Sequence, residues 1–570
     1  MQPFVYKKVL SCISSNSHNF LLGCIFILAL LIRLIYLGSF PTNFHEDEVL
    51  VGYVGRFILE NGADLYGNPW PLWYFDKFGD FYIIGPFYLS GLATLLFGVN
   101  EFAVRFPSAF IGALGTIPMY YLVNQLFKNK RTAIFSAFLL AIFPWHVVLS
   151  RSSSEGVLGA TFCLTALYFF LKGIEKDSIL TLIMGTLICL FSYWLYHPYR
   201  TYAPAFLLVT IVFFWTYIKQ IKTKIFLITT LMLFSLFTLW IMSTPWGQGR
   251  LQQTSIFGEI SGVSIRNQIL IYDTGNNSPI LARLLHNKPL GYGREFLRQY
   301  FSYFAPKYLF LDSWGEKFIV PEQGMMFISY LFFLLAFIWY FGYLIKNDSA
   351  RRILLYYLIL AALSLIPPAM TYIGSPNINR SMMFGVLLIP AIAYGATLLM
   401  NKHKLIFLII ALFLVFEITY FGLSYKLHFD SANSISRQDA VKPLIHFIEK
   451  YHDKDVYLPQ DSTMAIYYLF FNHRFDPELM GRFKSEVRIP QIDNVHFIPE
   501  SQCMNTEEEI IQSGIQEKNI IAFKYTCGER PLTDTRFKLI SFVKQTGELL
   551  GYRVYEYMGI GTVENDQDTL

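Results

Sequence analysis

Asp47 and Glu48 directly follow the first long apolar run of the chain, within Phe44-His45-Glu46-Asp47-Glu48-Val49. An ionised side chain costs about 2.5–3.5 kcal/mol at mid-membrane on insertion scales, so acids this close to a bilayer call for a reason. A carboxylate there can take a proton from a hydroxyl within hydrogen-bond reach, and Asp47 is expected to do so rather than only cap a helix. Glu48 or Asp80 would orient an acceptor or help hold a cation. His45, Asp47, Glu48 and Asp80 are oxygen and nitrogen ligand types suited to a divalent ion. Their spacing does not force one, and a metal stays open.

The elements that must position these groups are membrane helices. The chain is 54% hydrophobic, 18% aromatic and 15% charged, whereas soluble domains carry about a quarter charged residues. Its net charge of +5 does not point to nucleic acid, because Lys and Arg fall in short clusters between apolar runs. Cys12, Cys24, Cys163 and Cys189 lie at or inside the apolar part and Cys503 and Cys527 in the polar tail; no CxxC spacing supports a zinc ribbon. The run 20–40 follows Lys7 and Lys8 without a small-x-small cleavage site, so it reads as a retained helix.

If the clusters Lys7-Lys8, Lys128/Lys130/Arg131, Lys172/Lys176, Lys219/Lys222/Lys224, Lys346/Arg351/Arg352 and Lys402/Lys404 are all cytoplasmic, an even number of spans separates each pair. That holds when 81–98 lies along the outer surface. About eleven spans of roughly 20 residues result: 20–40, 105–127, 132–150, 155–171, 178–195, 202–218, 225–243, 323–345, 353–369, 381–400 and 404–424. The outer face then gathers Asp47, Glu48, Asp80, Arg105, Arg151, Glu155, His197, Arg200 and Asn379-Arg380. The duller accounts are snorkelling for Arg105, pairing inside the helices for Arg33, a loop histidine for His197 and simple exposure in a turn-rich mouth for Arg380.

Residues 46–61 put Leu50, Val54, Phe57, Ile58 and Asn61 on one stripe, which predicts an amphipathic interfacial helix. Trp70, Trp73, Tyr74, Phe75, Phe78, Phe81 and Tyr82 follow at a density suited to the headgroup level. The loop 244–322 is expected to be partly helical. In the tail, a helix over 439–451 and strands near 455–458, 520–525, 538–544 and 552–557 suggest a small α/β or α+β domain. An outer location permits a Cys503–Cys527 disulfide.

An Asp-Glu pair opening a surface helix after the first span resembles the protein O-mannosyltransferases and the lipid A aminoarabinose transferases, membrane glycosyltransferases of the GT-C fold. Leu-Ile-Arg33-Leu-Ile, Phe97-Gly-Val-Asn-Glu-Phe-Ala-Val-Arg105-Phe-Pro-Ser, Leu149-Ser-Arg151, Tyr196-His-Pro-Tyr-Arg200-Thr-Tyr-Ala-Pro204 and Phe296-Leu-Arg-Gln-Tyr-Phe-Ser-Tyr-Phe304 fit the bacterial branch in order. Relatives usually carry Lys-Pro-Pro or His-Pro-Pro before the second surface helix. Here the place reads Asp76-Lys77-Phe78-Gly79-Asp80, so the lysine role would fall on Lys77, while the missing prolines are a departure at a position that helps set sugar specificity.

Composition and the basic clusters give a polytopic α-helical membrane protein with a cytoplasmic N-terminus over 1–19, a transmembrane domain over 20–429 with outer loops 41–104 and 244–322, and an extracytoplasmic α/β domain over 430–570; the resemblance implies that the transmembrane part is a GT-C-like glycosyltransferase domain. It implies inverting transfer of a sugar from a polyprenyl-phosphate donor to an extracytoplasmic glycan, lipid or protein. Asp47 and Glu48 would be catalytic, with Asp80, Lys77, Arg105, His197, Arg200 and Arg380 binding substrate. Guanidinium suits the departing lipid phosphate because it matches phosphate in a bidentate fork. A transporter or lipid flippase would place ionisable groups nearer mid-membrane and show repeat symmetry, which the sequence lacks. An inactive scaffold of the same fold is the other alternative.

Overall fold

The computed structural model describes residues 2–77, 80–258, 263–267, 280, 284, 287–312, 318–372, 374–460, 463–483, 489–499, 515–524, 536–547 and 550–559. Cys503, Cys527 and Phe78 lie outside the described residues. Two compact units divide the chain: Met1–Ile35, Ile83–Gly85 and Phe106–Lys426 form the first, and Tyr36–Tyr82, Pro86–Arg105 and Leu427–Leu570 the second.

The first unit is a bundle of apolar helices. Among the described residues, seven helices are long and apolar enough to span: Ser17–Leu34, Glu101–Phe127, Glu155–Lys176, Ile221–Ser243, Ala350–Ala369, Met382–Lys402 and Lys404–Ala432. The pair Lys130–Ala141 and Pro144–Ser150, bent by 51°, makes an eighth. The break is physical: Pro144 has no N–H to continue the helix and biases Phe143 to an extended backbone, seen as φ −60° and ψ 116°. The other three expected spans are helices at Ile179–Tyr193, His197–Phe214 and Ile328–Leu344. The first and last are shorter than a full crossing, and His197 and Arg200 make the middle one polar at one end.

Helix Lys404–Ala432 shows why lipid is the fitting solvent: Leu412, Val415 and Phe416 are all exposed, and a contiguous apolar surface of this kind is rare on a soluble monomer. Inside the bundle, small residues let backbones meet. A Cβ at Gly395 would come within 1.9 Å of the Phe333 carbonyl oxygen. Arg33, fully buried in α1 (Gln2–Leu34), donates to the Leu140 and Ala141 carbonyls at the end of helix Lys130–Ala141, to Ser150 Oγ and to His146 Nδ1. Arg151 in turn donates to the Ile32, Arg33 and Ile35 carbonyls that end α1. Each arginine thus satisfies carbonyls that a helix end leaves without intrahelical partners, which is the pairing role expected for Arg33.

The second unit is built around α2 (Glu46–Asn61), whose bounds match the sequence expectation. Its burial does not match a one-sided interfacial helix. Besides Leu50, Val54, Phe57 and Ile58, the residues Val49, Val51 and Tyr53 are buried. The reason is a pair of glycines. At Gly55 a Cβ would stand 1.9 Å from the Phe87 carbonyl oxygen of α3 (Gly85–Phe97), and at Gly52 it would strike Val104 and Phe470. α2 is therefore enclosed by α3, by α4 (Glu101–Leu114) and by the tail helix Met464–Phe471. Tyr53 stacks on Phe475 at 5.0 Å and donates to the Arg474 carbonyl at 2.8 Å.

Strands β1 (Tyr74–Lys77) and β2 (Asp80–Ile83) form a small hairpin. The tail carries a six-stranded mixed sheet of β3 (Val456–Gln460), β4 (Gln491–Ile492), β5 (Val495–Pro499), β6 (Ile520–Lys524), β7 (Phe537–Lys544) and β8 (Leu550–Tyr557). Its order is β4-β5-β3-β6-β8-β7. β3 runs parallel to β5 and β6, while β6, β7 and β8 pair antiparallel. The α/β character and the β7–β8 hairpin follow the sequence expectation.

Candidate active site

His45 caps α2 with Nδ1, which accepts the Asp47 N–H at 3.0 Å, while Glu48 Oε2 accepts the His45 N–H at 3.1 Å. This reciprocal capping box satisfies two donors that the helix start leaves open, and three acids in the first turn suit the positive end of the helix dipole. The fold fixes Asp47 at the helix mouth, with its side chain 30% exposed.

The β1–β2 hairpin delivers the partners. Successive residues of a strand alternate faces, so Lys77 shares the inward face of Phe75, which packs on Phe87 at 5.4 Å. Lys77 Nζ lies 2.7 Å from Asp47 Oδ1 and 3.3 Å from Glu46 Oε1, and its side chain is 9% exposed. Burial works against the ammonium, but the Asp47 and Glu46 carboxylates outweigh it and hold the Lys77 pKa above its ordinary value. Tyr82 donates its hydroxyl to the same Asp47 oxygen at 3.0 Å. Asp80 opens β2, half-buried, two residues from Tyr82 and hence on its face of the strand. His45, Glu46 and Asp47 offer ligand atoms within 4.8 Å of one another. This donor set suits a divalent ion, although the Lys77 ammonium already supplies positive charge to both carboxylates.

Glu48 is placed differently from Asp47. It is buried, and its carboxylate receives Arg105 Nε at 3.0 Å, Arg105 Nη2 at 3.1 Å and Arg437 Nη2 at 2.7 Å. Arg105, expected to grip a phosphate at the outer end of a span, is fully buried and also donates to the carbonyls of Leu37, Pro41 and Asn43. Its geometry is that of a clamp on the segment entering α2. Arg437 was not singled out in the sequence, where nothing in its local pattern marks it.

In the first unit, His197 and Arg200 open the helix His197–Phe214. Arg200 is buried, donates Nε to the Tyr193 carbonyl at 3.2 Å, lies 3.4 Å from His197 Nδ1 through Nη1, and covers the Trp246 ring at 5.2 Å. Arg380 is half-buried in the turn after Asn377, whose Oδ1 accepts its backbone N–H at 3.1 Å. Asn379 beside it accepts Ser154 Oγ at 2.6 Å. The structure thus joins Asp47 with Lys77, Glu48 with Arg105, and His197 with Arg200.

Residues 84–242 match the family model described as dolichyl-phosphate-mannose-protein mannosyltransferase. Two curated relatives are named undecaprenyl phosphate-alpha-4-amino-4-deoxy-L-arabinose arabinosyl transferase. That of Pectobacterium atrosepticum is 29% identical over 115 residues, covering 20% of this chain and 19% of the relative. That of Yersinia enterocolitica is 29% identical over 117 residues, 20% of each. The chain therefore spans about a fifth of the length of the curated relatives it matches. Among solved structures, the apo oligosaccharyltransferase of Archaeoglobus fulgidus aligns with a TM-score of 0.49 at 13% identity, covering 94% of this chain and 74% of that one. Apo ArnT of Cupriavidus metallidurans aligns with a TM-score of 0.39 at 13% identity over 94% and 97%. The family match and the curated relatives bear out the resemblance read from the sequence.

Proposed function

We propose that this chain is an inverting membrane glycosyltransferase taking its sugar from a polyprenyl phosphate and working on the extracytoplasmic face. The observation that supports it best is the Asp47 carboxylate, held at the mouth of α2 by Lys77 and Tyr82 yet 30% exposed. The matched family and relatives are named for dolichyl- and undecaprenyl-phosphate sugars.

In this reading the acceptor hydroxyl gives its proton to Asp47 as its oxygen bonds to the anomeric carbon. The bond from that carbon to the lipid phosphate oxygen breaks, and the sugar passes through a cationic transition state that nearby carboxylates stabilise. The departing phosphate carries the electron pair and needs positive charge. Lys77, the cation beside the base, is assigned to the departing phosphate; Arg200 and Arg380, in the helical unit, stay lipid-phosphate candidates on the family resemblance alone, with His197 beside Arg200. Asp80 is assigned to acceptor orientation. Glu48 and Arg105 move from chemistry and substrate binding to holding α2 in place.

Membranes carrying wild type or Asp47→Asn, given labelled polyprenyl-phosphate sugars, test this through release of polyprenyl phosphate. Sugar-specific release that Asp47→Asn abolishes at equal expression supports the reading and names the donor. Release indifferent to Asp47, or none across a broad donor panel, moves weight to a transporter or an inactive scaffold.

A further inference from the structure

We infer that Asp430, in the last turn of the helix Lys404–Ala432, and Arg437, just beyond it, are positioning residues for the reaction because they fix the strap that carries Asp47. The inference rests on the reading of Asp47 as the base.

The strap is residues 41–45, which lead from the end of the first helix region into α2. It has almost no regular structure of its own, so other elements must satisfy its backbone. The Thr42 N–H donates to both carboxylate oxygens of Asp430, each at 3.1 Å, and the Asn43 amide donates to the Asp430 carbonyl at 3.3 Å. Arg437 donates Nε to Asn43 Oδ1 at 2.6 Å, and Nη2 reaches both the Asn43 carbonyl at 3.3 Å and Glu48 Oε2 at 2.7 Å. Its guanidinium lies over the Phe429 ring at 5.6 Å. Tyr467, from the tail helix, donates to the Phe44 carbonyl.

Arg437 thus bridges the strap and the capping glutamate. The planar fork of arginine suits that task, and lysine cannot reproduce it. Asp47 stands between the two anchored points, His45 and Glu48, and its carboxylate is the part left open to solvent. A group misplaced by about 1 Å can cost about 100-fold in rate. The tail is therefore part of the catalytic layer through residues that touch no substrate.

The test uses the full chain in detergent micelles and three readouts: amide exchange of the peptide 42–50, affinity for undecaprenyl phosphate, and kcat for release of that lipid from the donor sugar the wild type turns over. Arg437→Gln is expected to raise exchange over 42–50 at least about tenfold while leaving 85–97 and 456–460 at wild-type rates. Its kcat falls about 100-fold, its Kd for undecaprenyl phosphate stays within about threefold, and Arg437→Lys recovers part of the rate. Asp47→Asn abolishes release with wild-type exchange. Unchanged exchange over 42–50 in Arg437→Gln, exchange raised equally everywhere, or a rate loss equal to the loss of folded protein would overturn the inference. Should Arg437→Gln fail to fold, Asp430→Asn carries the same comparison, because it weakens the hold on Thr42 and keeps the shape. An active Asp47→Asn would remove Asp47 as base and overturn the positioning claim with it, and raised exchange in Arg437→Gln would then report only an anchor of the strap.

Discussion

Replacing Lys77 by Met removes the ammonium that lies against two carboxylates at the mouth of α2. At 2.7 Å from Asp47, the gross attraction is about 6 kcal/mol at an effective dielectric near 20. Most of that offsets the desolvation of an ammonium that is 9% exposed. A charge-assisted hydrogen bond of this kind is worth a net 1.5–3 kcal/mol, roughly, and the more exposed Asp47 side pulls the figure toward the lower end. If the ammonium also steadies the departing phosphate, that energy enters the transition state and Lys77→Met loses about 10- to 100-fold in kcat/KM. Without it, Glu46 and Asp47 face each other as like charges, so the acid limb of the pH–rate profile moves to higher pH. Steady-state release of polyprenyl phosphate from pH 5 to 9 reads both effects. A rate within threefold of wild type with an unmoved acid limb would refute the assignment.

The same lysine makes a stability prediction whose sign follows from its raised pKa. Its contribution is complete below the unfolded value of about 10.4 and is lost as pH rises through the higher folded value, so the Tm gap between wild type and Lys77→Met holds from pH 7 to 9 and closes above about pH 10.5. Glu48→Gln leaves two buried guanidiniums short of charge and costs about 3–5 kcal/mol. A double-mutant cycle with Arg437→Met should return at least about 1 kcal/mol of coupling, and denaturant titration in micelles giving additive effects would break the pairing argument. Gly55→Ala drives a Cβ against the Phe87 backbone and lowers the yield of folded protein by size-exclusion chromatography, whereas Gly293→Ala, with nothing within 4 Å of the added carbon, leaves it unchanged.

Local pattern made much of this legible. The bounds of α2 follow from its apolar spacing, and the tail hairpin from the strand runs near 538–544 and 552–557. The count of spans was less secure, because the apolar character of 179–193 and 328–344 is plain in sequence while helix length depends on where turns fall. The enclosure of α2 was illegible: nothing local to Gly52 and Gly55 tells that Phe87, Val104 and Phe470 pack against them. Lys77 was reachable through the resemblance, but its contact with Asp47 depends on the strand register that turns it inward.

By itself the sequence determined the class of protein, the helical segments and the acid at the start of α2, because hydrophobic length, strand alternation and helix capping are properties of neighbours in the chain. Only the tertiary structure separated Asp47 from Glu48, leaving one open to solvent and burying the other between Arg105 and Arg437. That division depends on a guanidinium 389 residues from the carboxylate it meets. Side-chain charge is written locally, but burial and partnership come from packing, and packing is what turns two adjacent carboxylates into a reacting group and an anchor.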